Sequence, residues 1–173
     1  EGLHYIQNYH EQASSFCADA YARATGELGV AIATSGPGAT NLITGVANAF
    51  FDSVPCLFIT GQVSTHLIKP HNAIRQHSFQ ETDIISIAKS ITKFAECILA
   101  PEKIRFYLEK AVFIAQSGRP GAVLLDIPHN VQASEIDPES LDSYFDSDEY
   151  RTELTKNSKP DEDTIKQILS MLG

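Results

Sequence analysis

Basic residues are scarce in this sequence. Its 173 residues include 13 lysines and arginines against 22 aspartates and glutamates, which gives a formal net charge of −9 at pH 7. The basic residues form no stripe, so a nucleic-acid backbone would meet no electrostatic attraction. This composition argues against a nucleic-acid partner.

Long apolar runs and a disulfide framework are missing as well. No apolar run approaches the roughly 20 residues that a membrane span needs, and no basic segment followed by an apolar one opens the sequence as in a signal peptide. Cys17, Cys56 and Cys97 are widely spaced among apolar neighbours, which favours reduced thiols packed in a core. We expect no membrane partner and a cytoplasmic location.

Strand-like and helix-like patterns alternate along the chain. Short apolar or alternating runs predict strands at 3–9, 29–34, 55–60, 92–99 and 121–127. Helical spacing and helix-start signals predict helices at 13–25, 39–51, 81–90 and 101–116. This alternation favours an α/β fold with a mainly parallel sheet and helices on both faces.

The first predicted helix depends on apolar residues at helical spacing. They are Ala13, Phe16, Cys17, Ala20, Tyr21 and Ala24. Gly26 follows at the position of a C-terminal cap.

The composition changes after Asn130. Residues 132–159 are rich in Asp, Glu and Ser and predict an acidic linker. Residues 160–173 combine acidic helix-start residues with an apolar stripe, and we interpret them as the start of a central domain. Residues 1–131 are then one domain, whose N-terminal end we expect to be missing because the first residue is not Met and a strand pattern is already under way.

The segment Ser35-Gly36-Pro37-Gly38 joins a predicted strand to a predicted helix. Free backbone N–H groups and the helix dipole at such a junction favour a polar or anionic ligand. A P-loop would need a Lys after the second Gly, and a dinucleotide fingerprint would need Gly where this chain has Asn41. A tight turn without a ligand is also compatible with this segment.

Glu11 follows the first predicted strand and opens the first predicted helix. An acid at this position can simply stabilise the helix dipole. However, ligands of open parallel sheets gather at the carboxyl ends of the strands, where Glu11, the 34–41 loop and the 61–63 turn are all expected. These segments therefore predict one polar site.

Several short segments together identify a family. They are His10-Glu11-Gln12, residues 20–26 (AYARATG), residues 34–41 (TSGPGATN), Asp52-Ser53-Val54-Pro55, residues 59–63 (ITGQV), Phe79-Gln80-Glu81, Gly118-Arg119-Pro120-Gly121 and Leu125-Asp126-Ile127-Pro128. In this order they strongly resemble the acetolactate synthase group of thiamine-diphosphate enzymes, over about residues 3–131. The resemblance implies the thiamine-diphosphate-binding fold and, for this segment, its N-terminal pyrimidine-binding domain.

The resemblance also implies roles for particular residues. Glu11 would be the catalytic acid that hydrogen-bonds N1′ of the cofactor's aminopyrimidine, and we expect it to keep its proton in a dry interface because desolvation disfavours the anion. Thr34, Pro37 and Asn41 would line the pyrimidine pocket together with Glu11. Gln80 would bind the cofactor and reach its reacting side, as a second catalytic residue. Turn formation, helix capping and surface polarity are the ordinary roles of these residue types.

Other parts of such an enzyme are not in this sequence. The family's Gly-Asp-Gly and Asn-Asn segments, which hold diphosphate and Mg²⁺, are absent, so no metal ligand is predicted here. The resemblance implies that a partner subunit of a homodimer or homotetramer supplies them and that the isolated chain is inactive. The complete enzyme would be a carboligase or lyase, classed as a transferase, that acts on pyruvate or a related 2-oxo acid. The resemblance leaves open whether it also binds FAD.

Two other functions stay open. Tyr9, Ser64 and a long 66–77 loop depart from the usual acetolactate synthase pattern. Residues 75–84 instead look like those of related enzymes from polysaccharide and unusual-sugar pathways. The second alternative is a non-catalytic α/β module for binding or oligomerisation that keeps only the fold.

Overall fold

Four parallel strands form one sheet. The structure is a computed structural model that describes residues 2, 4–69, 74–156 and 162–172. The strands are adjacent in the order β1-β2-β4-β3, and every neighbouring pair is parallel. This confirms the predicted sheet, whose strands are β1 (Gly29–Ala33), β2 (Cys56–Gln62), β3 (Phe94–Cys97) and β4 (Ala122–Pro128).

Helices cover both faces of the sheet, as the sequence predicts. Seven α-helices lie within the described residues: α1 (Glu11–Thr25), α2 (Pro37–Phe51), α3 (Ile84–Ala88), α4 (Ile104–Gln116), α5 (His129–Gln132), α6 (Asp148–Lys156) and α7 (Glu162–Leu172). Helices α1, α2 and α3 share one apolar cluster with the sheet, and α4 shares a second cluster on the opposite face. None of the described helices is long and apolar enough to span a bilayer.

Helix α1 lies very close to α2 and β1. A Cβ added to Gly45 of α2 would lie 2.1 Å from Ser15 Oγ and 2.4 Å from Ser15 Cβ, and one added to Gly29 would lie 2.1 Å from the Ala18 carbonyl oxygen. Both glycines therefore allow a contact that any other residue would prevent. The contact sets the position of α1, including Glu11 in its first turn.

Ion pairs join the far ends of the same two helices. Arg23 near the end of α1 binds Asp19 at 2.7 Å and Asp52, which caps α2, at 2.6 Å. Arg23 is 45% exposed, so solvent screens these pairs, and we assign them an orienting effect rather than a large stabilisation.

The apolar stripe of α1 faces solvent rather than the core. All six of its residues are exposed, whereas the buried residues of α1 are Ser15, Ala18, Asp19 and Ala22. The expectation that Cys17 packs in the core is therefore wrong; Cys56 is buried and Cys97 half-buried, and all three thiols are free. Helical spacing finds the helix but not which side packs, because the close contact with Gly45 and Gly29 requires small side chains.

The predicted opening strand does not form. Residues 4–8 have no regular secondary structure, and Leu3 lies outside the described residues. Tyr5 and Ile6 are 84% and 83% exposed. No described strand lies beside residues 4–8 to share backbone hydrogen bonds with them. The strand prediction at 3–9 is therefore wrong for this structure.

The segment predicted as a linker is folded against α4. Tyr144 is fully buried and contacts Phe106 and Phe113 of α4, and the Glu109 carboxylate accepts hydrogen bonds from Ser143 Oγ and Tyr144 N. The acidic composition does not predict this contact, because the contact depends on a single buried aromatic residue, Tyr144, within the acidic segment. The domain boundaries at 131 and 159 stay predictions. Residues 157–161 lie outside the described part, and the predicted final helix is α7.

We predict that Gly45→Ala destabilises the fold. Alanine favours a helix over glycine by about 1 kcal/mol, but the new Cβ would overlap Ser15, and overpacking typically costs about 1–3 kcal/mol. The free energy of unfolding, measured by urea denaturation, should fall. Gly61→Ala is the control, because its Cβ would meet no atom closer than 3.6 Å; equal effects of the two substitutions would contradict the close contact.

Candidate functional site

The loop between β1 and α2 forms the centre of the candidate site. Gly36 has φ 63°, a left-handed conformation that suits glycine, and α2 begins at the next residue, Pro37. No side chain caps this end of α2. Its first turn therefore presents backbone donors and the positive end of the helix dipole.

Glu11 lies against this loop. His10 caps α1 by accepting a hydrogen bond from Gln12 N, which leaves the half-buried Glu11 side chain free to point towards α2. Asn41 Nδ2 donates to Glu11 Oε2 at 2.9 Å. The structure thus joins two predicted site residues that are thirty positions apart.

Thr34 and Glu11 meet at Gly38. A Cβ added to Gly38 would lie 2.7 Å from Thr34 Cγ2 and 3.4 Å from Glu11 Oε1. The absence of a side chain at position 38 therefore lets Thr34 and the Glu11 carboxylate lie directly against the first turn of α2, where Asn41 also binds Glu11. We call these residues the Glu11 site. Pro37 is exposed beside it at the start of α2.

The Asn41 amide lowers the pKa of the Glu11 carboxyl below its ordinary value. A hydrogen bond from the Glu11 backbone acts in the same direction, and burial is too slight to reverse it. Glu11 is therefore a carboxylate at neutral pH in this structure. The expectation that it keeps its proton depends on an interface that this single chain does not contain.

Gln80 contacts the loop from the other side. Its φ is 62°, and a Cβ on Gly36 would lie 2.8 Å from the Gln80 carbonyl oxygen and 3.0 Å from its Cβ. A positive φ in a residue other than glycine costs energy and persists only where neighbours hold it. All the predicted site residues thus border the β1–α2 loop; whether they bind a cofactor stays a prediction.

The loop before Gln80 is held by the buried carboxylate of Glu81. Its Oε1 accepts from Lys69 N at 2.8 Å and its Oε2 from His77 N at 2.6 Å. Burial alone would raise the pKa of Glu81, but backbone donors at His77, Lys69 and Ser78 outweigh it and lower the pKa. Glu81 thereby ties both described sides of the loop to one point.

A cleft of about 690 Å³ opens at the carboxyl edge of the sheet. Residues that follow β1, β2 and β4 line it together with Phe79 and Gln80: Thr34, Ser35, Val63, His129 and Gln132. The site at Glu11 and this cleft share Thr34. This is the edge where the sequence predicts a site.

A buried polar cluster, for which the sequence predicted no role, lies under this cleft. Asp126 is 1% exposed, and it accepts hydrogen bonds from Thr60 Oγ1 at 2.7 Å and Gln62 Nε2 at 2.8 Å. Burial raises the pKa of Asp126 to about 6, and the bonds from Thr60 and Gln62 partly offset this effect. The signal was a single acid inside the apolar run AVLLDIP.

Fold and site together define an α/β domain with a group of polar residues at the carboxyl edge of its sheet, beside a helix N-terminus, where ligands of such sheets commonly bind. No group of three or more His, Cys, Asp and Glu in the described residues could hold a metal ion.

The family model described as "Thiamine pyrophosphate enzyme, N-terminal TPP binding domain" matches residues 1–87. The chain therefore belongs to this family of thiamine pyrophosphate enzymes.

Acetolactate synthases are among the similar proteins. Over 95% of its own length, this chain is 43% identical to acetolactate synthase 1, chloroplastic, from Oryza sativa subsp. japonica. It is 48% identical to acetolactate synthase from Arthrospira platensis over 78% of its length, and 47% identical to the acetolactate synthase large subunit from Cyanidium caldarium over 83%. The matches cover only 24%, 22% and 23% of those proteins.

We predict that Asn41→Leu raises the pKa of Glu11 towards its ordinary value. The substitution removes the Nδ2 donor that favours the carboxylate. A carboxyl with a lowered pKa stabilises the fold above its unfolded pKa and loses that effect as the pH falls through its folded pKa, so the variant should also lose less stability on acidification. NMR titration of the Glu11 side-chain carbon measures the pKa.

Thr40→Val is the matched control. Its hydroxyl donates to Pro37 O in the same turn and does not contact Glu11. An unchanged Glu11 titration in Asn41→Leu, or an equal shift in the control, would show that Asn41 does not set this pKa.

Proposed function

We propose that the chain is the pyrimidine-binding half of a thiamine-diphosphate-dependent enzyme that acts on 2-oxo acids. The complete enzyme is an acetolactate synthase-like carboligase or lyase that decarboxylates pyruvate or a related acid and joins the product to an acceptor. The observation that carries this proposal is the Glu11 carboxylate, which is bonded to Asn41 and lies beside Gly38 at the first turn of α2.

The Glu11 site has the chemistry that an aminopyrimidine requires. Such a ring has nitrogen acceptors, an amino donor and two apolar faces. Glu11 and Asn41 supply polar partners for the edge, while Thr34 and Pro37 supply apolar atoms for a face. A side chain at position 38 would overlap Thr34 and displace these residues, which is why glycine suits the position.

When bound, the cofactor supplies a carbon nucleophile and an electron sink for decarboxylation. Glu11 holds a proton at N1′ of the pyrimidine and so makes the ring's amino group a base. The hydrogen bond from Asn41 lowers the pKa of Glu11, whereas burial by a second subunit raises it by desolvation. The two effects oppose each other, which suits a carboxyl group that shares a proton with N1′. Gln80 orients the reacting side of the cofactor.

The second subunit covers α1 in this proposal. The exposed apolar stripe of α1 begins two residues after Glu11, and Phe16 and Tyr21 are 39% and 48% exposed. An interface on this stripe would bury apolar surface and dehydrate Glu11 in one step. The assembly is a homodimer or homotetramer, and the partner's diphosphate-binding domain binds Mg²⁺. Whether the enzyme also binds FAD is left open.

We also propose a cytoplasmic location. Cys17, Cys56 and Cys97 are all free thiols, as expected for a protein in a reducing compartment.

We predict that Glu11→Gln in the complete enzyme slows cofactor activation by about 10²–10⁴-fold, because an amide cannot share a proton with N1′ in the same way. Stability should change by about 1 kcal/mol or less, since the side chain keeps its size and is only half-buried. Hydrogen–deuterium exchange at C2 of bound cofactor, followed by quenched-flow NMR, measures activation. A thermal melt of the same variant measures stability.

Glu27→Gln is the control, because Glu27 lies beyond the other end of α1, where its side chain accepts a hydrogen bond from the Tyr21 hydroxyl and its backbone N–H donates to Thr25 Oγ1. Exchange at the wild-type rate in Glu11→Gln would remove Glu11 from the mechanism. It would leave the acid as a dipole partner of α1.

We predict that the 173-residue chain alone binds thiamine diphosphate weakly or undetectably. The pyrimidine site is one half of the contact surface, and the charged diphosphate needs ligands from the other half. Calorimetric titration with Mg²⁺ present tests this, with circular dichroism as the control for folding. Tight binding that depends on Mg²⁺ would overturn the half-site proposal.

A further inference from the structure

We propose that Gln62, oriented by Asp126, is a positioning residue that holds the Gln80 segment (residues 78–84) in place over the β1–α2 loop. The consequence for catalysis depends on the proposed function of Gln80. The positioning itself does not.

Gln62 uses every polar atom of its side chain. Nε2 donates to Asp126 Oδ2 at 2.8 Å and to Thr82 O at 2.7 Å, and Oε1 accepts from Val63 N at 2.9 Å. The side chain is 7% exposed, so water does not compete for these bonds. Gln62 therefore ties the end of β2 to the backbone two residues after Gln80.

Asp126 fixes the orientation of the Gln62 amide together with Thr82 O and Val63 N. A carboxylate only accepts hydrogen bonds, so the amide NH₂ must face Asp126. If the amide were reversed, its oxygen would face the carboxylate and its bonds to Thr82 and Val63 would be lost as well. A buried amide at position 126 would not impose this orientation, because it can present either a donor or an acceptor.

The sheet holds Asp126 rigidly. Thr60 and Cys97 are its partners in register on β2 and β3. Thr60 Oγ1 donates to Asp126 Oδ1 at 2.7 Å, and Cys97 lies beside Asp126 on the neighbouring strand. The anchor is therefore built into three parallel strands rather than into a loop.

Gln80 needs such an anchor. Its positive φ is strained, and its backbone lies against Gly36. Glu81 holds the chain before it through Lys69 N and His77 N, and Gln62 holds the chain after it through Thr82 O. Strain of this kind persists only where surrounding contacts determine the backbone, and Gln62 supplies a hydrogen bond that connects the segment to the sheet.

The test is Gln62→Met in the full chain, read by hydrogen–deuterium exchange and mass spectrometry. Methionine has a similar length but cannot donate to Thr82 or Asp126. Peptides covering 78–84 should exchange about tenfold faster, as expected for the loss of a hydrogen bond. Peptides from α4 should exchange at the wild-type rate.

Gln132→Met is the matched control. Gln132 lines the same cleft and its Nε2 donates to Ile127 O at 2.6 Å, away from the Gln80 segment. It should leave exchange at 78–84 unchanged. Equal effects of the two substitutions would overturn the proposal.

Asp126→Asn tests the orienting step with little change in volume. Exchange at 78–84 should lie between that of the wild type and that of Gln62→Met, because an amide at 126 accepts a weaker hydrogen bond from Gln62 than a carboxylate does. Wild-type exchange at 78–84 in Asp126→Asn, or a uniform increase across the whole chain in both variants, would reduce Gln62 and Asp126 to ordinary core residues and overturn the proposal.

Kinetics of the complete enzyme separate this proposal from the proposed function. If the positioning by Gln62 and the catalytic role of Gln80 are both correct, Gln62→Met lowers kcat/KM for the 2-oxo acid and also lowers the protection of residues 78–84 from hydrogen exchange. Lost protection with unchanged kcat/KM would keep the positioning and remove the catalytic role of Gln80. Unchanged protection would overturn the positioning, whatever the kinetics show.

Discussion

The close contact between α1 and α2 is the constraint on which the candidate site depends. Ser15 and Gly45 meet at a distance that only glycine permits in α2, and Gly29 allows the same approach of α1 to β1. Because helices are rigid over one or two turns, this contact carries Glu11 to the first turn of α2, where Asn41 binds it. A side chain at position 45 would move the acid without touching it.

The same contact explains why the apolar stripe of α1 is exposed. A helix that packs through Ser15 and Ala18 presents small and polar residues to the core, so its larger apolar residues turn outward. An exposed stripe next to a carboxylate suits a surface that a second subunit covers. The geometry of one helix thus connects the acid, its hydration and the proposed assembly.

A second set of contacts builds the other side of the site from the sheet. Thr60, Gln62 and Asp126 form a buried polar cluster at the carboxyl ends of β2 and β4, and Glu81 gathers the loop that leads to Gln80. Buried polar groups are costly unless they are hydrogen-bonded, and these groups have partners. These hydrogen bonds offset the cost of burial and hold the backbone in one conformation beside the β1–α2 loop.

The sequence by itself determined the α/β class, the strand-helix order and the family, because apolar periodicity, glycine turns and short motifs are local properties of the chain. It also predicted that Glu11, Thr34, Pro37, Asn41 and Gln80 belong together. Only the tertiary structure decided which side of α1 packs, that residues 4–8 form no strand, and that Tyr144 fastens the acidic segment to α4. It also decided the roles of Gln62 and Asp126. Each of these depends on contacts between residues far apart in the chain, which no local pattern encodes.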